Sequence, residues 1–562
     1  MTLVASARGA ESDADPTSRA RDASRAGVPG GNDADAGPGA PGEEAMAWDD
    51  VRRQTPVWTT GTQWKSVDRR LRVLIPLSTL FSVWYLLWLL VPQRVGNPYL
   101  FGVLIAAQIF NFFQAIGFWW TCWPRRGRPP VPEMVGPCPD VDILIPVYNE
   151  PLTIVAPTVA AASAIRGGRV NVYLLDDAGR PDLVDLAEQW GAHYVHRDNN
   201  YAAKAGNLNH ALSIVDSPFV AVFDCDHVPD PSFLEATMSW MEDPDVALVQ
   251  TPQYYSNAHQ GALAAAAASQ QDLFFGPIAR GKDSLGAMIC CGTNFVIRRA
   301  ALDDAGGFPE QALTEDFALS IRLHESQWRT VYVNEVLARG LGPEDMSAYV
   351  SQQLRWSRGC LAAIGTAIRA RLPFKQRMQY LHASLFFLTG WTILVYVTLP
   401  AVRIFTGAQP FNGSTSSQML LYFAPYYAIS LMAVAAAGAG SYTFNAYCLF
   451  IANFWIQIVA TIYVVTGTKL AWVVTSKQGS EGREPGSVIP AIVIVVMLGV
   501  TVIYGVLYEF SSSVANNVAF ALLYGVVLVV GIWPALSGGR PDRDAVPPET
   551  NIGALAPALD PA

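Results

Sequence analysis

The sequence predicts a mainly parallel α/β domain inserted between α-helical transmembrane segments, and three observations carry that expectation. Hydrophobic residues make up 51% of the chain and charged residues only 15%, a balance that leans away from an ordinary soluble protein. Long apolar runs flank a polar central stretch on both sides. Within that stretch, strand-like patterns alternate with helical ones, as in a parallel sheet with crossover helices.

Residues 1–50, dominated by Ala, Asp, Gly, Pro, Ser and Arg, lack the apolar core of a secretory signal and read as a disordered tail. A basic flank and a two-span hairpin are expected over 51–125. The runs Val73 to Val91 and Tyr99 to Trp123 are each about long enough to cross the ~30 Å hydrocarbon layer. Arg52, Arg53, Lys65, Arg69, Arg70 and Arg72 precede the first run, and Arg125, Arg126 and Arg128 follow the second; the turn Arg94 to Pro98 holds Arg94 alone. The positive-inside rule therefore puts both outer flanks in the cytoplasm.

The polar domain spans 138–375, with interfacial helices. Val141-Asp142-Ile143-Leu144-Ile145 and Val170 to Leu175 read as buried strands, and Asp182 to Trp190 as a helix. In such sheets ligands gather beyond the carboxyl ends of strands, where Asp176-Asp177 and Asp224-Cys225-Asp226 fall. Residues 376–536 hold five more apolar stretches, near 380–402, 419–439, 444–466, 488–508 and 517–536. Asn445, Asn453, Gln457 and Thr461 give 444–466 a polar stripe, which suits a helix lying in the interface. Six spans then remain, with both tails cytosolic, the last of them the short segment 537–562.

The formal net charge of −9 exerts no pull on nucleic acid, which is excluded as a partner. Seven cysteines without CxxC spacing read as reduced thiols.

Four motifs carry chemistry. Asp224 and Asp226, two apart at a strand end, can reach one site and share Mg²⁺ (or Mn²⁺) with substrate phosphates; a solvated turn before Pro229 is the alternative. Asp176-Asp177 can accept hydrogen bonds from a base or ribose, or cap the helix after Pro181. In Thr314-Glu315-Asp316 one carboxylate can cap the following helix while Asp316 points into a cleft as general base. In Gln352-Gln353-Leu354-Arg355-Trp356, Trp356 offers a flat face for a sugar, Arg355 a fork for a pyrophosphate, and Gln352 shares the Trp356 face of the helix.

Taken in order, Pro146-Val147-Tyr148-Asn149-Glu150, Asp176-Asp177, Lys204-Ala205-Gly206-Asn207, Asp224-Cys225-Asp226, Thr314-Glu315-Asp316 and Gln352 to Trp356 resemble the processive family 2 glycosyltransferases, and within them the cellulose synthase group. Trp472-Val473-Val474-Thr475-Ser476-Lys477 is similar to that group's gating loop, with Trp472 in place of the usual Phe. Cys291-Gly292-Thr293 resembles its Phe-Phe-Cys-Gly-Ser acceptor motif, with Ile289 and Cys290 in place of the two Phe and Thr293 in place of Ser. These departures bear on the acceptor more than on the donor.

The resemblance implies a GT-A type nucleotide-sugar-binding domain. It implies donor contacts from Asn149, Glu150, Asp176, Asp177, Lys204, Asp224 and Arg355, and metal ligation by Asp224 and Asp226. Asp316, with Glu315 beside it, would be catalytic; Cys291, Gly292, Thr293, Gln352 and Trp356 would meet the acceptor. A gating loop over 468–484 would act through Trp472, Val474, Thr475 and Lys477. The implied activity is inverting, processive transfer from a UDP-sugar, foremost UDP-glucose, to a β-1,4-glucan that is passed across the inner (plasma) membrane. The implied partners are the UDP-sugar, the growing polysaccharide, the lipid bilayer and accessory secretion subunits. Alternatives are another β-glycan (β-1,3 or mixed-linkage glucan, chitin or hyaluronan) or a catalytically inactive transport or scaffold subunit. The residues after 536 hold no RxxxR pattern, so regulation by cyclic-di-GMP through this chain is not expected. Trp391, Tyr396, Tyr426, Tyr427 and Trp455 can stack on sugar rings or form interfacial belts.

Overall fold

A computed structural model describes residues 61–125, 131–412, 415–468, 482–508 and 511–538. Residues 472 to 477, the gating-like segment, lie outside the described residues, as do both tails.

The expected α/β sheet is present. Its strands are β1 (Val141–Val147), β2 (Val170–Asp176), β3 (His193–His196), β4 (Phe219–Val222), β6 (Val246–Gln250), β8 (Phe295–Arg298) and β9 (Arg329–Tyr332), in the spatial order β3-β2-β1-β4-β8-β6-β9. All neighbours are parallel except β8, which runs antiparallel to both β4 and β6. Short strands β5 (Val228–Pro229), β7 (Tyr254–Tyr255) and β10 (Ala338–Gly340) form a second sheet in the order β5-β10-β7.

Strand alternation supplies two cores. Ile143, Ile145, Val172 and Leu174 face helices Leu152–Ser163 and Pro181–Gln189, whereas Leu144, Leu175, Val220 and Val222 face helices Ala203–Leu212 and Glu315–Glu325. Both faces are covered, so the strands read as continuous apolar runs. The carboxyl ends of the parallel strands point to one edge, and there the chain leaves the sheet at Asp177 and Asp224.

Among the described residues six helices are long and apolar enough to cross a membrane: Trp64–Leu89, Pro98–Cys122, Phe374–Thr406, Ser416–Ala437, Pro485–Tyr508 and Ser512–Ser537. Phe444–Ala452 and Phe454–Thr466 would make a seventh, but they are bent by 41°. The bend falls at Asn453, whose Nδ2 donates to Leu449 O at 2.9 Å and competes with the backbone ladder. The polar stripe of this pair is divided: Asn445 is exposed and Thr461 half-buried, whereas Asn453 and Gln457 are buried and Gln457 Oε1 accepts from Gly390 N at 2.6 Å.

Both ends of the bent pair touch the α/β domain. Thr443 N donates to Ser269 Oγ at 2.8 Å and Gln270 Nε2 to Ala446 O at 3.0 Å, while Arg358 Nη2 donates to Thr468 O at 3.1 Å. At the other end of the bundle the hairpin turn pairs with the loop after Thr406, through Asn97 N to Gln409 O at 2.8 Å and Asn412 N to Arg94 O at 2.7 Å. The aromatic rings of the membrane region pack largely on one another: Tyr426 stacks on Tyr85 at 5.0 Å, and Tyr427 on Phe423 at 5.5 Å.

Candidate active site

A cavity of about 890 Å³ opens where the sheet's carboxyl edge meets the helix Met346–Ala362. Asn149, Glu150, Asp177, Lys204, Asp224, Asp226, Cys291, Gly292, Glu315, Asp316, Gln352, Arg355 and Trp356 all line it. Residues far apart in sequence therefore share one wall.

On the wall formed by the ends of the first strands, Asp177 is gripped by Arg197, whose Nε and Nη2 donate to the two carboxylate oxygens at 2.5 and 2.8 Å. The same guanidinium donates to Tyr201 O at 2.8 Å and Ala203 O at 2.9 Å. It thereby holds Ala202 and Ala203 at φ of 56° and 44°, a left-handed turn that starts the Lys204 helix. Glu150 folds back so that Oε2 accepts from Tyr148 N at 2.9 Å.

Lys204 sits at the centre. Its Nζ donates to the Asp224 carboxylate in a close ion pair and to Gly292 O at 2.6 Å. Burial by itself would lower its pKa, but Asp224, Glu315 and Asp316 outweigh that and hold it net above the ordinary value. Next to it, ligand atoms of Asp224, Asp226 and His227 lie within 4.8 Å of one another. His227 Nδ1 is 3.3 Å from Asp226 Oδ1, and its buried Nε2 has no hydrogen-bond partner among the described residues. Two carboxylates and an imidazole suit a divalent cation such as Mn²⁺ or Mg²⁺, so the residues present fit the metal that the sequence pattern implies.

On the opposite wall, Asp316 lies in the first turn of helix Glu315–Glu325 with Oδ1 accepting from Phe317 N at 2.7 Å. Burial first, and the neighbouring Glu315 charge second, push its pKa up to about 7. Gly292 stands directly opposite: at φ +84° it occupies a region that favours glycine, and a Cβ there would come within 3.1 Å of Asp316 Oδ2. Asp345 caps the Met346–Ala362 helix by accepting from Ala348 N at 2.7 Å, and this helix presents Gln352, Arg355 and Trp356 to the cavity. Gln352 Nε2 is 3.4 Å from Tyr255 Oη.

Gly359 lets that helix approach. A Cβ at this position would lie 2.2 Å from Thr314 Cγ2, the branched, buried side chain just before Glu315-Asp316. Gly359→Ala is therefore expected to separate Trp356 from Asp316 and lower turnover about 10-fold or more, the scale of a sub-ångström to 1 Å misplacement. Steady-state rates with purified protein check this, and unchanged rates would show that the two segments act independently.

Two expected site residues do not line the cavity. Asp176 is fully buried beneath it, accepting from Ala178 N at 2.8 Å and Tyr194 Oη at 2.8 Å, so it shapes the turn on which Asp177 sits. Thr293 is likewise buried; its Oγ1 accepts from Asp224 N at 2.8 Å and fixes the metal-side turn. The Ile289-Cys290 pair also lies behind the wall, Cys290 in the core and Ile289 against the Phe317 and Tyr380 cluster. Its departure from the Phe-Phe pattern changes packing under the acceptor wall rather than the wall itself.

Sequence reasoning missed Arg197, His227, Gln253, Tyr255, Glu310 and Glu344. His227 had a signal, since it directly follows Asp226. Arg197 had none, because its partners lie on other elements.

Known proteins similar to this chain are glycosyltransferases or cellulose synthases by name. Residues 219–475 match the family described as "Glycosyl transferase family group 2". The chain is 31% identical over 496 residues to a protein named "Putative cellulose synthase 2" of Komagataeibacter xylinus, covering 84% of this chain and 32% of that protein. It is 34% identical over 381 residues to "Cellulose synthase catalytic subunit [UDP-forming]" of Pseudomonas fluorescens (strain SBW25), covering 64% of this chain and 51% of that one. To "Cellulose synthase 1 catalytic subunit [UDP-forming]" of Komagataeibacter xylinus it is 29% identical over 501 residues, covering 84% and 67%. The chain thus spans between a third and two thirds of the length of these relatives.

Proposed function

We propose that this chain, a family 2 glycosyltransferase of GT-A type related to the cellulose synthases, polymerises a UDP-sugar, foremost UDP-glucose, into a β-1,4-glucan and passes it across the membrane. The carrying observation is the single cavity in which Asp177, Lys204 and the Asp224-Asp226-His227 cluster face Asp316 and Trp356. One side suits a nucleotide diphosphate, the other a sugar hydroxyl.

In this reading Asp177 and the Asn149-Glu150 turn hold the base and ribose, and Lys204 and Arg355 meet the diphosphate. Asp224, Asp226 and His227 would hold Mg²⁺ or Mn²⁺, which would supply positive charge to offset that of the diphosphate. Trp356 supports the terminal acceptor sugar. Asp316 takes the proton from the acceptor hydroxyl as that oxygen attacks the donor's anomeric carbon, and the carbon–UDP bond breaks with inversion. A base in this role needs a pKa near the working pH, and burial beside Glu315 supplies that.

Six spans with the α/β domain and both tails cytoplasmic agree with the basic flanks. They also agree with the bent pair 444–466, both ends of which contact the α/β domain. The gating-like segment is flanked by contacts to the same Met346–Ala362 helix: Arg358 to Thr468 on one side, and Ser347 N to Glu484 Oε2 at 2.9 Å on the other.

Two tests follow from these roles. Purified chain in nanodiscs with Mg²⁺ or Mn²⁺ is expected to release UDP from UDP-glucose in preference to other UDP-sugars and to yield a β-1,4-linked product by linkage analysis. Another donor or linkage would replace the glucan reading. The proton count gives the second: Asp316 acts only when deprotonated, so kcat/KM should be low at acid pH, rise through about 7 and level above it. An acid limb near the ordinary carboxylate range would remove Asp316 from the base role.

A further inference from the structure

Behind the cavity a second polar array uses the same helix as the base. Asp316, Ser320 and His324 recur at four-residue intervals and so share one face of Glu315–Glu325. Ser320 Oγ donates to Asp316 O at 2.8 Å and accepts from Cys290 N at 2.7 Å, fastening this helix to the acceptor segment. One turn further on, His324 is almost fully buried, with Nε2 3.0 Å from Thr330 Oγ1 and Nδ1 2.6 Å from Tyr380 Oη.

The proton positions follow from the network. Thr330 Oγ1 donates its own proton to Met288 O at 2.7 Å, so towards His324 it accepts. The imidazole therefore carries its proton on Nε2, and Nδ1 accepts from the Tyr380 hydroxyl. Burial, and then the Lys282 charge, hold the ring's pKa down to about 4, which keeps it in this neutral form.

Tyr380 touches the base-bearing helix at two turns. Its ring meets Phe317 edge-on at 5.3 Å and 83°, and Phe317 N is the donor to Asp316 Oδ1. Its hydroxyl reaches His324. Tyr380 belongs to helix Phe374–Leu385, the first part of the candidate membrane span Phe374–Thr406.

We propose that His324 and Tyr380 are positioning residues that fasten the Asp316 helix to the start of the candidate membrane span Phe374–Thr406 and so orient the base. This rests on Asp316 acting as base. A buried hydrogen bond between neutral groups holds a fixed direction without the desolvation cost of an ion pair, which suits a joint that transmits position. The joint lies outside the cavity, so its loss changes the orientation of Asp316 and not the donor contacts.

Full-length chain in nanodiscs with UDP-glucose and Mn²⁺ tests this through kcat, KM and product length together. Tyr380→Phe keeps the ring on Phe317 and removes the hydroxyl; kcat should fall about 10-fold, with KM for UDP-glucose unchanged and shorter product. His324→Leu should fall at least as far, and His324→Gln, which can still donate to Thr330, should recover to within about 3-fold of wild type, a difference of well under one hydrogen bond. Wild-type kcat and product length in Tyr380→Phe would overturn the assignment even if His324→Leu fails to fold. So would a lowered melting temperature with unchanged kcat per folded molecule. A wild-type chain that releases no UDP would instead overturn the glucosyl-transfer reading and this assignment with it.

Discussion

Asp316→Asn is expected to reduce UDP release from UDP-glucose by about 10² to 10⁴-fold, the usual contribution of a positioned general base. The substitution is nearly isosteric, and an asparagine oxygen can still accept from Phe317 N, so the helix start is preserved. In the proposed arrangement the donor is held by Asp177, Lys204 and Arg355, so KM for the donor should change little. A reduced kcat with an unchanged KM is the signature of an interaction made in the transition state. Undiminished turnover would take the base role from Asp316 and shift it to Glu315, the other carboxylate at this helix start, which also lines the cavity.

The second large effect concerns the metal cluster. Chelation should abolish UDP release and added Mn²⁺ or Mg²⁺ should restore it. Asp226→Asn should cost on the order of 10³-fold, which is what several kcal/mol of charge stabilisation amounts to. Asp226 is buried beside His227, whereas Asp224 is also held by Lys204, so the two carboxylates are not equivalent. Asp226→Asn should therefore shift the metal concentration at half-maximal rate upward. A variant with lower activity and an unchanged metal midpoint would make Asp226 a packing residue and move the metal elsewhere.

Much of this site is legible in the amino-acid sequence. Asp224-Cys225-Asp226 directly follows an unbroken apolar strand, so its place at the sheet's carboxyl edge can be read locally. Thr314-Glu315-Asp316 precedes an amphipathic run, and the helix does start at Glu315. Gln352 and Trp356 share a face by their four-residue spacing, and both line the cavity. Each of these is a local property, fixed by strand alternation or helical period.

The misreadings have a common cause. Asp176 and Asp177 are adjacent and chemically alike, yet one is buried beneath the turn and the other faces the cavity. The polar stripe of 444–466 suits an interfacial helix by its spacing, yet its members part company in the fold: Asn445 is exposed, while Asn453 and Gln457 turn inward and Gln457 takes its hydrogen bond from Gly390. Composition registers that a polar group needs a partner and is silent on which element supplies it.

The sequence by itself determined the layout: a mainly parallel α/β domain between long apolar helices, acidic clusters at strand ends, a carboxylate pair at a helix start and an aromatic one helix away. Strand and helix periods are short-range, so a single chain read in order is enough to place them. Only the tertiary structure decided how these parts meet. Arg197 grips Asp177 and shapes the loop to Lys204, Gly359 lets the Trp356 helix close on Thr314, and Tyr380 joins the Asp316 helix to the helix that enters the membrane region. Those contacts span residues far apart in sequence and depend on packing geometry, which no local period encodes.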